Sequence, residues 1–308
     1  MYSRAEYIGQ IAAALKDTPE MTFLLDSPLG DLFRIPTNKA SFSGKLVLGL
    51  ICRQLVTNKR YEMWMVFAGH PIRLGLREWT LITGLECGTY PKDKDVESVM
   101  QREEGENTVW ATLFGDDKAK PTVEELRDRL ISETDMPAWK KLALALIIIV
   151  DGVLICDKSP PLRPNEMTVE LTKNLDFFCK YPWGRTSFLL TLERIASFKG
   201  ETDVKKLRSG CKQHSYVLHG FPLGLQLLAF KTIPSIASLL PSEGDTAVFT
   251  ERTIKNLSKL RPIKTSTILA CESAEQVCAV VVVSTYTLKL TMIVYVGGYH
   301  IYCGPSRQ

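Results

Sequence analysis

Leu46, Val47, Leu50, Ile51 and Leu55 recur at helical spacing, and the pattern predicts a helix whose end is made basic by Arg53, Lys59 and Arg60. From Tyr61 to Phe67 aromatic and apolar residues accumulate as in a strand; Gly69-His70-Pro71 is a turn signal, and Ile72 to Leu74 reads as the returning strand. A second helix is then expected to carry Leu76, Trp79, Ile82 and Leu85 on one face, with Gly84 or Gly88 available to stop it. The stretch 45–91 thus reads helix, hairpin, helix, with no catalytic group at its centre.

Beyond it, Lys92 to Glu106 is highly charged without an apolar period and reads as an exposed loop. Asn107 can cap a short helix through Trp110 and Leu113, and Pro121 with Glu124 and Glu125 opens another, where a missing amide is harmless and negative charge suits the helix dipole. Thr134 or Asp135 is placed to cap a long helix from Ala138 to about Cys156, whose apolar residues from Leu142 to Val150 occupy almost every face; other helices should surround it. Asp151 within it requires a partner, Arg185 or Lys140, or an edge position. Ser159-Pro160-Pro161 breaks the chain, a helix restarts over 165–178, another follows from Trp183, and Pro222 begins a strongly apolar helix that Pro234 should kink or end. Val277 to Tyr286 and Leu288 to Val296 are β-branched runs followed by Gly297-Gly298 and Tyr299 to Cys303, a pattern expected of short antiparallel strands. The fold class expected is α+β: a mainly helical body over 1–240 with a β-hairpin near 61–75, then a basic helix and a small antiparallel β element over 241–308.

At 308 residues and 45% hydrophobic content the chain can bury a substantial core. The run Leu142 to Val150 is too short to cross a bilayer, and Glu6 and Lys16 interrupt the apolar patch of the N-terminus as a secretory signal would not allow, so an intracellular protein is expected. The eight cysteines are scattered through apolar segments and read as buried thiols. Two looser sets, Cys211 with His214 and His219, and Cys271, Cys278, His300 and Cys303, lack the paired close spacings of a zinc site, and no metal or other cofactor is expected.

The formal charge of +4 is unevenly distributed. Between Phe198 and Lys264 eleven lysines and arginines face five acids, a net +6, which leaves −2 for the rest of the chain. The candidate polyanion contacts are Lys205, Lys206, Arg208 and Lys212 in one dense stretch, and Arg252, Lys255, Lys259, Arg261 and Lys264 in the other. Arg252, Lys255 and Lys259 fall at helical spacing, with Asn256 beside them as a base-edge reader. Clustered cations release counterions from a phosphate backbone, whereas the plain alternative is a solvated helix face.

Several words of the sequence carry a family resemblance: Cys52-Arg53-Gln54-Leu55, Glu62-Met63-Trp64, Val66-Phe67-Ala68-Gly69, Pro71-Ile72-Arg73, and Leu76-Arg77-Glu78 running into Thr83-Gly84-Leu85-Glu86-Cys87-Gly88. Ser27-Pro28-Leu29-Gly30, Tyr181-Pro182-Trp183-Gly184-Arg185 and Gly220-Phe221-Pro222-Leu223 with Leu225-Gln226-Leu227 extend it over roughly 20–240. They resemble the plant domain of unknown function found in the VANC anti-silencing proteins of VANDAL transposons and beside SUMO-protease-like domains in other plant mobile elements. The resemblance implies a nuclear protein that binds double-stranded DNA of its own transposon's noncoding regions and, through silencing or chromatin partners, causes loss of DNA methylation. It assigns no contact residue, so those named above rest on charge alone. A protein-interaction module is the alternative implied.

Catalysis is not expected. His219 has Asp245 and Cys271 or Cys278 downstream, but the words that surround a SUMO-protease's catalytic groups are missing; His300 has only Cys303 after it, and His70 reads as a turn residue. There is no glycine-rich phosphate loop and no His-Glu-x-x-His helix. A nuclease or demethylating enzyme is the third reading, which metal-dependent turnover of DNA would revive.

Overall fold

The computed structural model describes residues 3–57, 59, 61–116, 118–157, 161–195, 218–240, 246–251 and 263–274, with the backbone of the strands at 291–292, 294–296 and 299–301. In chain order the first helices are Glu6–Ala14 (α1), Pro19–Asp26 (α2), Thr37–Ala40 (α3) and Gly44–Ile51 (α4). Strands Gln54–Val56 (β1), Met63–Phe67 (β2) and His70–Leu74 (β3) lead to Leu76–Thr83 (α5), Asp93–Met100 (α6), Val109–Phe114 (α7), Val123–Ser132 (α8) and Ala138–Ile149 (α9). Then come Glu166–Leu171 (α10), Leu175–Lys180 (α11), Trp183–Ile195 (α12), Leu223–Thr232 (α13), Pro234–Ala237 (α14) and Thr265–Ala274 (α15). The protein is α+β and mainly helical, as the periodicity predicts.

α9 is the centre. Every residue from Ala143 to Val150 is buried, and a helix apolar on all faces must be enclosed; α1, α2, α8 and α10 pack around it. It continues as a π-helical turn, Val150–Ile155, against which α12 packs. Neither predicted residue caps its start, where Pro137 precedes the first turn. Asp151 is 6% exposed, and its partners are neither Arg185 nor Lys140: its carboxylate accepts the Asn165 backbone N–H at 2.8 Å and the Thr168 hydroxyl at 3.1 Å. The buried charge therefore serves the first turn of α10, whose amides lack helical partners.

The hairpin forms around Ala68 and Gly69, with φ of 50° and 80°, the left-handed pair that a two-residue turn between twisted strands requires. The turn lies one residue earlier than its sequence signal, and His70 and Pro71 join β3, the open edge where a proline interrupts no ladder. β1, which helical spacing had absorbed into α4, pairs antiparallel with β2. The main sheet, in the order β3-β2-β1 with one short tail strand beyond β1, stands in the first quarter of the chain, which corrects the expectation that places the small antiparallel sheet at the C-terminus. The tail contributes short strands, Thr291–Met292 (β4) on the free side of β1 and a hairpin of Val294–Val296 (β5) with Tyr299–Ile301 (β6), while Val277 to Tyr286 lies outside the described residues.

Other boundaries differ for local reasons. The charged segment after Pro91 contains α6, a helix with no buried residue. Thr108, not Asn107, caps α7, its hydroxyl accepting the Ala111 N–H at 2.7 Å. The expected helix over 165–178 is two, because Asn174 accepts the Phe177 N–H and starts α11. Pro234 ends α13 and opens α14 at a position where its missing amide is harmless.

Candidate nucleic-acid interface

Of the predicted contacts, Lys205, Lys206, Arg208, Lys212, Arg252, Lys255, Asn256, Lys259 and Arg261 lie outside the described residues. Lys264 is exposed at the entry to α15, where its carbonyl accepts the N–H groups of Thr267 and Ile268. Both flanks of the run 252–262 are fixed to the body. On the N-terminal side Phe249 is 1% exposed and donates its N–H to Phe33 O at 3.2 Å, Pro36 and Val248 form an antiparallel bridge, and the Ala247 carbonyl accepts the N–H and hydroxyl of Thr37. On the C-terminal side Ile263 is buried and α15 is held by Glu272, whose carboxylate takes Arg53 Nε at 3.1 Å and Nη2 at 2.6 Å. Arg53, expected at a basic helix end, is thus buried in an ion pair, with Nη1 donating to Gly49 O and the guanidinium 5.5 Å from the Phe67 ring centroid.

The stretch that receives Val248 also forms one wall of a cleft of about 380 Å³. Ile35, Pro36 and Leu227 give it an apolar floor, and Arg34, Lys39 and Lys231 stand on its walls with, among the described residues, a single acid, Asp31. Asp31 is committed to Arg34, Nη1 to Oδ1 at 2.7 Å, while Arg34 Nη2 donates to Leu25 O. Lys231 donates from Nζ to Leu81 O at 3.1 Å, and neither it nor Lys39 has a carboxylate partner among the described residues. Gly84 closes the floor: its φ is +73°, and a Cβ there would stand 2.2 Å from Asp31 Cβ, so both conformation and space demand glycine. Lys39 is set by Gln226, 0% exposed, whose Nε2 donates to Lys39 O and Ser41 O and whose Oε1 accepts Ser43 N–H. Sequence reading missed this cation set because its members are separated by up to two hundred positions, leaving no local density of charge.

The words that carry the family resemblance converge mainly to pack. Trp79, fully buried, lies 5.5 Å from the Phe188 ring and 6.4 Å from that of Phe221, and donates Nε1–H to Ser187 Oγ at 3.3 Å. A Cβ on Gly224 would come within 2.5 Å of the Trp79 ring, and one on Gly184 within 2.5 Å of Glu86 O. Arg185 donates from Nε to Cys87 O at 3.2 Å and lies over the Tyr90 ring. The segments 76–88, 181–185 and 220–227 are thus one interlocked joint between α5, α12 and α13.

His219 and Cys271 have separate partners. His219 Nδ1 accepts the Arg194 N–H at 3.3 Å, and burial with the neighbouring guanidinium pushes its pKa below the ordinary imidazole value; Cys271 Sγ donates to Ser235 O. Burial raises the Cys156 and Cys179 thiols, the latter to about 11, and raises that of Cys87. Among the described residues no three His, Cys, Asp or Glu side chains converge as metal ligands; Cys211, His214, Cys278 and Cys303 and the side chain of His300 lie outside them. Nor is any described helix long and apolar enough to cross a membrane.

Residues 51–194, just under half of the chain, match the family model described as Domain of unknown function (DUF1985). The match runs from the end of α4 through α12 and so includes the sheet β1–β3 and two of the three segments of the joint, but neither α13 nor α15. Comparison with curated proteins and with solved structures finds no match.

Proposed function

We propose that this protein is a non-catalytic, sequence-specific binder of duplex DNA, encoded by a plant transposon and acting in the nucleus to remove methylation from its own element through silencing or chromatin partners. The observation that carries the binding reading is electrostatic: a net +6 over 198–264 against −2 elsewhere, in a chain whose run 252–262 is fixed to the body on both sides. Clustered cations gain affinity for a phosphate backbone by releasing its condensed counterions. The choice of transposon DNA and the anti-silencing outcome draw on the resemblance to the VANC proteins. The match to a domain of unknown function is compatible with that and carries no activity of its own.

Titration of labelled duplex at several salt concentrations tests the binding. About five phosphate contacts give a log-log salt slope of about −4 to −5. Reversing Lys255, Lys259 and Arg261 to glutamate abolishes binding while the far-ultraviolet dichroism stays that of the parent. Absence of duplex binding, or a flat salt response, rejects the reading in favour of a protein-interaction module.

A further inference from the structure

We infer that the cleft between α3, the C-terminal end of α5 and α13 is a second phosphate-backbone contact, separate from the cationic run, in which Lys39 and Lys231 hold the same polyanion. The inference rests on the DNA-binding reading above and deepens it by adding residues that charge density along the sequence does not reveal. Asp31, the one carboxylate of the cleft among the described residues, is occupied by Arg34 at 2.7 Å, so among those residues the two ammonium groups have no carboxylate to compensate them. Lys231 spends one donor on Leu81 O, and the other N–H groups of its ammonium are free of carboxylate partners among the described residues. Lys39 is anchored through its main-chain carbonyl by Gln226, so the backbone that carries its side chain is held at the wall of the cleft.

Position favours a nucleic-acid backbone over an acidic peptide. Phe33–Thr37 supplies Arg34, Ile35 and Pro36 to the cleft and, through Phe33, Pro36 and Thr37, also holds 247–249, from which the chain proceeds directly to Arg252. Cleft and cationic run therefore share one support. A ligand with charge repeated at regular intervals can meet both, and each added contact steepens its salt dependence.

The test compares salt slopes for duplex DNA of the full chain, the K39Q/K231Q and K39E/K231E variants, and a K16E/K94E control that changes net charge by as much as the second variant at exposed sites outside the cleft. Neutralising the two lysines makes the slope shallower by about 2, the control leaves it unchanged, and the milder variant remains informative if the reversed one fails to fold. Wild-type binding with an unchanged slope in K39Q/K231Q overturns the cleft and leaves the DNA reading standing. Equal loss in the control reduces the effect to net charge and likewise overturns it. No wild-type binding overturns both. Competition by polyglutamate as strong per charge as by duplex assigns the cleft to acidic peptides and overturns the backbone contact.

Discussion

Replacing Glu272 by alanine removes the bidentate partner of a guanidinium whose side chain is 7% exposed. Arg53 then keeps Gly49 O and the face of Phe67, which leaves two of its donors buried without an acceptor. Breaking one side of such a pair costs about 3–5 kcal/mol, whereas exchanging both residues for apolar ones of similar size is close to neutral. E272A is therefore expected to lose about 3 kcal/mol or more and R53M/E272L much less. In urea, with a slope of about 3 kcal/mol per molar, E272A shifts the midpoint down by about 1 M. Hydrogen exchange locates the loss, because α15 should lose amide protection before α9 does. The reasoning is refuted if E272A stays within about 0.5 kcal/mol of the parent, or if the double variant is as damaged as the single one.

The segment 51–194 expressed alone should fail to give a cooperative unfolding transition, since Trp79 loses Phe221 and Gly224 and Arg53 loses Glu272; a sharp transition would show those contacts to be dispensable. Gly184→Ala, with its Cβ forced toward Glu86 O, should cost about 1–3 kcal/mol or more by denaturant titration. Gly69→Ala meets no atom within 4 Å and should cost only the left-handed backbone term of about 1–2 kcal/mol. Cys156 and Cys179 should resist alkylation at pH 8 until the chain unfolds, as read by peptide mass spectrometry. With its folded pKa raised to about 11, the Cys179 thiol contributes stability that is fully present below its unfolded value and lost as pH rises through 11; His219, with its pKa lowered, contributes stability that falls away as pH drops below its ordinary value.

What could be read from the sequence was whatever short-range period or turn chemistry determines. The enclosed helix 138–149 follows from its apolar faces, and the hairpin from aromatic density followed by a glycine turn. β1 was hidden because Leu55 sits at a spacing that continues α4; pairing with β2, a tertiary event, takes Gln54–Val56 into the sheet. Asp151 stands out in the sequence as a lone acid in an apolar helix, but the backbone amide of Asn165 and the hydroxyl of Thr168 that its carboxylate takes are partners that no search for opposite charges would propose. The cationic run was plain as composition, and nine of its ten chosen residues lie outside the described structure. The lysines of the cleft were invisible for the opposite reason: Lys39 and Lys231 become neighbours of one cavity only after α13 docks.

Gln226 gives that docking a further meaning. An interior amide bonded to three main-chain groups of 39–43 determines where an external ammonium stands, so the outer electrostatic landscape is governed from the middle of the molecule. Moving charge on this face would meet resistance from packing: re-aiming it requires a compensated change inside, and variants that shift it should emerge together with interior substitutions.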